Sequence, residues 1–194
     1  FQDLGKEHII GFRGSNQNAV IGSIIFTNNT VNNFALSKPD GGDHAFPVNK
    51  GQVQNFVMTE NVFNNYAGKQ FLQFANAYGV VGTDSIINIT VENNVFNGWG
   101  NPAGNTGSAE NFIEFSNGTG FNNGVKININ NNLFYKNITD TTTYRIPVLV
   151  KFAKGVTAEY LAKSEVNIMN NLMIPDSVVY KFNLIGGSGK LDRK

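Results

Sequence analysis

Short alternations of apolar and polar residues recur along this chain at a near-constant interval. Five segments align without gaps: Ile25-Phe26-Thr27-Asn28-Asn29-Thr30-Val31, Val57-Met58-Thr59-Glu60-Asn61-Val62-Phe63, Thr90-Val91-Glu92-Asn93-Asn94-Val95-Phe96, Asn128-Ile129-Asn130-Asn131-Asn132-Leu133-Phe134 and Asn167-Ile168-Met169-Asn170-Asn171-Leu172-Met173. Each ends in an Asn followed two positions later by an apolar residue. These Asn residues stand at 29, 61, 94, 132 and 171, separated by 32, 33, 38 and 39 positions. A second set of strings alternates with the first and ends at Phe12, Phe46, Phe74, Phe115, Phe152 and Phe182. Period two within each string is the signature of a strand, and the uneven spacing between strings does not suit a helical solenoid.

One repeat therefore reads as a Phe-ended strand, a turn, an Ile/Val strand, an Asn corner, a short apolar strand and a loop. Such a unit cannot bury its apolar face alone, and stacking on the next unit buries it. The expected fold is all-β: a parallel β-helix, or solenoid, of about five rungs with an Asn corner ladder. Asn suits the corner because its short amide bonds its own backbone, stacks with Asn above and below, and tolerates left-handed backbone geometry. The rival is an antiparallel Greek-key sandwich, which two strictly alternating column types over five repeats disfavour. Residues 1–194 are expected to form a single domain, a fragment of a larger protein with flanking parts or a stacked partner at its ends. Thr157 to Ser164 is the one helix-like stretch.

The strings from Thr90 to Phe96 and from Asn128 to Phe134 carry the pattern Ile-x-Val-x-Asn-Asn-x-Phe most clearly. On these residues the chain resembles the pectin-lyase-like superfamily of right-handed parallel β-helices, and especially Asn-rich surface proteins of gut Bacteroidetes. The resemblance spans Phe12 to Phe182. It implies a right-handed helix, and it implies little about activity, because the superfamily holds lyases, hydrolases, epimerases, tailspikes and non-catalytic members.

Composition narrows the classes. Hydrophobic residues make up 41% of 194, which argues against disorder. Charged residues are only 15%, the net charge is +1 and the Lys residues are scattered, so nucleic acid is not an expected partner. No apolar run approaches the ~20 residues that span a bilayer. About one residue in six is Asn, and good helix formers are thin. The absence of cysteine removes disulfides, thiolate chemistry and Cys-ligated zinc. A secreted or cell-surface location, extracellular or periplasmic, fits a protein that draws stability from repeats.

Candidate chemistry lies on one strand face and in the longer loops. The position before each terminal Phe forms a column: Gly11, Ala45, Gln73, Glu114, Lys151 and Lys181. Glu114, Lys151 and Lys181 are the catalytic candidates, a carboxylate and two cations able to serve proton abstraction beside a uronate carboxylate. The bland reading of the same residues is a cross-strand ion pair of small worth. The resembling lyases use this first sheet as their groove, which adds Arg145 as a clamp and Glu114 as a calcium ligand. Neither the lyases' Arg-containing signature nor the hydrolases' Asp cluster is present. Trp99, Tyr144, Arg145 and Gln73 are the sugar-binding candidates, since exposed aromatic rings stack on the apolar C–H faces of sugars. Trp99 equally suits a ring folded back over its rung. Asp40 and Asp43, in Asp40-Gly41-Gly42-Asp43-His44, are the candidate metal ligands, calcium being the ion such oxygens favour. Calcium takes six to eight oxygens, so this loop alone is a poor site, and a turn after Pro39 explains the same letters. Four Asn-x-Ser/Thr sequons, at Asn28, Asn88, Asn117 and Asn137, are expected by chance in so Asn-rich a chain.

The function expected from these readings is an extracellular carbohydrate-associated module, binding glycan or displayed at a surface, with no cofactor. The alternatives are a polysaccharide lyase or glycoside hydrolase acting on a polyuronate or other complex glycan, and a structural stalk of an adhesin or fibre.

Overall fold

The computed structural model describes residues 9–13, 20–34, 45–49, 52–66, 70–75, 87–99, 111–116, 124–137, 148–152, 158–175 and 183–187. Each pass of the chain lays down three strands. The first holds β1 (Phe12–Arg13), β2 (Val20–Thr27) and β3 (Thr30–Phe34). The second holds β4 (Phe46–Asn49), β5 (Gln52–Thr59) and β6 (Val62–Tyr66), and the third β7 (Leu72–Ala75), β8 (Ile87–Glu92) and β9 (Val95–Trp99). The fourth holds β10 (Asn111–Ser116), β11 (Val125–Asn130) and β12 (Leu133–Asn137). The fifth holds β13 (Val148–Phe152), the short helix α1 (Ala158–Ala162), β14 (Glu165–Met169) and β15 (Leu172–Pro175). β16 (Asn183–Gly187) follows. Each strand from β1 to β13 pairs in parallel with the strand three places on, which gives three parallel sheets in the orders β1-β4-β7-β10-β13-β16, β2-β5-β8-β11-β14 and β3-β6-β9-β12-β15. The expected all-β stacking of passes is thus present, and no described pair is antiparallel.

Inward residues stack by type. In the second sheet, Ile24, Phe56, Ile89, Ile127 and Val166 stand in one register column, and Phe26, Met58, Val91, Ile129 and Ile168 in the next. In the third sheet the column is Val31, Phe63, Phe96, Phe134 and Met173. The rings of Phe63, Phe96 and Phe134 lie parallel, with centroids 5.1 and 4.9 Å apart. Phe71 and Phe112 stack at 5.0 Å and meet that column edge-on, with Phe71 4.8 Å from Phe63 and Phe112 4.8 Å from Phe96. Offset and edge-to-face pairs like these are worth ~0.5–1.5 kcal/mol each beyond their burial.

The corner between the second and third sheets is the Asn ladder. The backbone N–H groups of Asn29, Asn61, Asn94 and Asn132 each donate to the amide oxygen of the next Asn at 2.9 Å. The side-chain nitrogens of Asn61, Asn94 and Asn171 donate to the backbone carbonyl two residues back at 2.9–3.1 Å, as Asn61 does to Thr59 at 2.9 Å. The same nitrogens reach a carbonyl of the preceding pass, such as Asn94 to Met58 at 2.9 Å. The left-handed conformation, however, belongs to the residue before each ladder Asn: Asn28, Glu60, Asn93, Asn131 and Asn170, with φ of 55 to 59°. The ladder Asn is thereby released to point its amide inward, and Asn61, Asn94 and Asn132 are at most 2% exposed.

Two expected columns shift. Phe46 pairs with Leu72, and Val48 pairs with Phe74, so Phe46 lies two positions out of the Phe column. Phe74, Phe115 and Phe152 do align, with stacked rings at 5.0 and 5.3 Å. Gly187 pairs with Phe152 where Phe182 was expected. The helix falls inside the expected stretch and buries Tyr160 against Phe115 and Phe152.

Candidate functional site

The best-defined polar cluster sits on the face of the first sheet that turns away from the core. The strings Gln70-Phe71-Leu72-Gln73-Phe74 and Asn111-Phe112-Ile113-Glu114-Phe115 share one pattern. Both middle apolar residues are buried in each string: Phe71, Leu72, Phe112 and Ile113 are at most 1% exposed. The polar residues on either side are left on the opposite face. Gln73, Glu114 and Lys151 therefore occupy one row on β7, β10 and β13, paired in register. Adjacent strands in such a row are ~4.8 Å apart.

Glu114 is held tightly for an outward-facing carboxylate. Its Oε2 accepts from Gln70 Nε2 at 3.0 Å and from Asn111 Nδ2 at 2.5 Å, and lies 3.4 Å from Lys151 Nζ. The Glu114 side chain is 9% exposed and that of Lys151 is 34% exposed. All three contacts converge on Oε2, and among the described residues none falls on Oε1. Burying a carboxylate is costly unless donors compensate, and three donors on one oxygen supply that compensation. The same arrangement fixes the carboxylate plane and leaves the second oxygen as an acceptor of set direction. The Lys151 side chain stays partly exposed, and Gln73 flanks Glu114 on the neighbouring strand.

The row does not extend as the spacing suggested. Pro47, not Ala45, pairs with Gln73, and Gly186, not Lys181, pairs with Lys151. The described row is thus Pro47, Gln73, Glu114, Lys151 and Gly186, with one cation. Lys181 itself lies outside the described residues, as do Tyr144, Arg145, Asp40 and Asp43. Trp99 was expected in a loop and is instead the last residue of β9, its backbone paired with Tyr66. The left-handed Gly98, with φ of 77°, lets the strand continue to it. Gln70 and Asn111 were missed by the sequence reading. The shared five-residue pattern was their signal, since both precede the paired inward Phe residues.

The outer faces of the other two sheets carry amide ladders. Asn64 donates to Asn32 at 2.9 Å and Asn97 to Asn64 at 3.1 Å, and Asn88 reaches Asn55 at 3.3 Å. Lys126 pairs with Glu165 at 3.6 Å, and Asn167 donates to Glu165 at 2.6 Å. These contacts hold the Glu165 carboxyl below the usual range, the Asn167 bond being the larger cause and Lys126 the next. Among the described residues no group of three or more His, Asp or Glu is able to hold a metal ion, and no helix is long and apolar enough to cross a membrane.

No family model, no curated protein and no solved structure matches this chain. The class of the protein therefore rests on its topology, and its site on the row just described.

Proposed function

We propose that the chain is a right-handed parallel β-helix of five rungs that binds glycan outside the cell through the outward row Gln73, Glu114 and Lys151. The observation that supports this reading is the Glu114 carboxylate. One oxygen is locked by Gln70, Asn111 and Lys151, and the other is left to accept from a ligand hydroxyl. Sugar hydroxyls are donors of the kind a fixed carboxylate oxygen recognises, and a charge-assisted bond is the stronger sort. Gln73 and Lys151 supply donors on either side. Trp99, Tyr144 and Arg145 are the further residues proposed to stack on or clamp the sugar.

A panel of neutral polysaccharides and polyuronates, scored by array and then by calorimetry, tests the reading. Glu114→Gln should keep the fold, because amides can replace the Gln70 and Asn111 contacts, and should weaken binding about tenfold, or ~1.4 kcal/mol. Trp99→Ala should abolish the array signal. Absence of binding across the panel, or binding that Glu114→Gln leaves unchanged, overturns the assignment. Cleaved products in the same incubations would replace it with a lyase or hydrolase.

A further inference from the structure

We infer that the fifth pass is a docking site for an extended segment of a partner polypeptide: a strand, an Asn corner and a second strand, laid parallel on β14 and β15. This goes beyond the glycan reading and does not depend on it.

The size of the place follows from the sheet orders. The first sheet has six strands and ends in β16, whereas the second and third have five and end in β14 and β15. β16 pairs on β13 and so takes the first-sheet position of a sixth pass. Among the described residues the other two positions of that pass are open. A second copy of this chain does not fit there, because stacking its β2 and β3 on β14 and β15 would carry its β1 onto β16. A segment of two strands joined by a corner does fit.

The surface left open is apolar. Val166, Ile168 and Met173 are only half-buried, whereas Ile127, Ile129 and Phe134, one pass earlier in the same columns, are at most 2% exposed. The outward residues of the fifth pass turn apolar as well. The column Thr27, Thr59, Glu92 and Asn130 ends in Met169, 53% exposed, and the column Asn32, Asn64, Asn97 and Tyr135 ends in Ile174, 39% exposed. Leu172 between them is 58% exposed. Exposed strand edges beside exposed apolar surface are templates for another chain. A strand added to such an edge gains affinity from backbone hydrogen bonds and specificity from its alternate side chains.

The corner says which residues the partner carries. At the fourth corner the Asn131 N–H donates to Met169 O at 3.1 Å, the Asn132 N–H donates to Asn171 Oδ1 at 2.9 Å, and Asn132 O accepts from the Leu172 N–H at 2.9 Å. The three earlier corners repeat these bonds with the pass that follows each. At the fifth corner the Asn170 N–H, the Asn171 N–H and the Asn171 carbonyl have no partner among the described residues. An incoming Asn at the same register answers all three. Its Oδ1 takes the Asn171 N–H, the carbonyl two residues before it takes the Asn170 N–H, and the N–H of the residue after it meets the Asn171 carbonyl. Its Nδ2 reaches Ile168 O as Asn171 Nδ2 reaches Ile129 O at 2.6 Å. The core columns place apolar residues five and three positions before that Asn and two after it, over Val166, Ile168 and Met173.

A peptide with the sequence of residues 125–135 carries this pattern about Asn132 and serves as the probe. Fluorescence anisotropy should show it binding the folded chain, one peptide per chain, and amide exchange at Asn170 and Asn171 should slow. The peptide with Asn132→Ala should bind at least about tenfold more weakly. In the chain, Met173→Lys should abolish binding, because a docked segment would bury the ammonium. Ile25→Lys, at a 68% exposed position on the first pass, should leave binding unchanged. Circular dichroism verifies that each chain variant folds. No binding, equal binding by the Asn132→Ala peptide, binding that Met173→Lys leaves intact, or exchange slowed at the first pass in place of the fifth overturns the inference. So does a mass of the chain alone that grows with concentration and stops growing in Met173→Lys, which would mean that a second copy takes the place.

Discussion

Removing one amide from the middle of the ladder should cost more than removing a large side chain from most protein surfaces. In Asn94→Ala the lost atoms are Oδ1, which accepts from both the N–H and the side chain of Asn61 at 2.9 Å, and Nδ2, which donates to Met58 O and Glu92 O at 2.9 Å and to Asn132 Oδ1 at 3.0 Å. Asn61 keeps side-chain bonds to Phe26 O and Thr59 O, but its buried N–H is orphaned. An orphaned buried donor costs about 1–3 kcal/mol, and the four remaining bonds are worth about 0.5–1.5 kcal/mol each, so the substitution should destabilise by at least about 3 kcal/mol. Asn29→Ala removes two donor contacts from a part-exposed amide whose oxygen accepts nothing among the described residues, so about 1 kcal/mol is expected there. Urea unfolding followed by far-ultraviolet dichroism measures both. Stacked repeats can open pass by pass, so amide exchange at Asn61 and Val95 should be read alongside, to show whether the third pass loosens first. If Asn94→Ala costs no more than Asn29→Ala, the ladder is decoration on a fold held by its Phe and Ile columns, and the reasoning fails.

Other substitutions probe the packing around the helix. Gly124 adopts φ of 80°, and a Cβ there would lie 2.4 Å from the Lys163 carbonyl oxygen, so Gly124→Ala should destabilise by at least about 1–3 kcal/mol in the same unfolding assay. Burial pushes the Tyr160 hydroxyl well above its ordinary range, with the Ser164 contact opposing weakly. A group raised in the folded state contributes stability that is complete below its unfolded value, near ~10, and lost as pH climbs past it. Tyrosinate absorbance should therefore show Tyr160 ionising only together with alkaline unfolding, and Tyr160→Phe should move that transition to higher pH. The lowered Glu165 carboxyl works in the opposite sense: its contribution is present at neutral pH and fades as pH falls through the lowered value. Glu165→Gln should remove that acid-side dependence, and carboxyl titration by NMR would follow it directly.

The sequence by itself determined the strands, their order and the ladder. Period-two alternation is local, and Asn29, Asn61, Asn94, Asn132 and Asn171 recur at spacings that only stacked passes explain. Register is where it ran out. Sliding a strand by two residues keeps every side chain on the same face, so alternation could not choose between Phe46 and Val48 as the partner of Phe74. Loops of unequal length hid the alignment of Lys151 with Gly186, which ended the supposed row of cations. The left-handed residue proved to be the one before each ladder Asn, because the amide must turn inward to reach its neighbours. The Glu114 environment was also settled only in three dimensions. Its donors come from Asn111, three residues away, and from Gln70, forty-four residues away and brought alongside by parallel stacking. A repeat fixes what each pass is made of. Packing between passes fixes which residues touch, because hydrogen bonds and ring contacts at that interface select one register from several that share the same pattern.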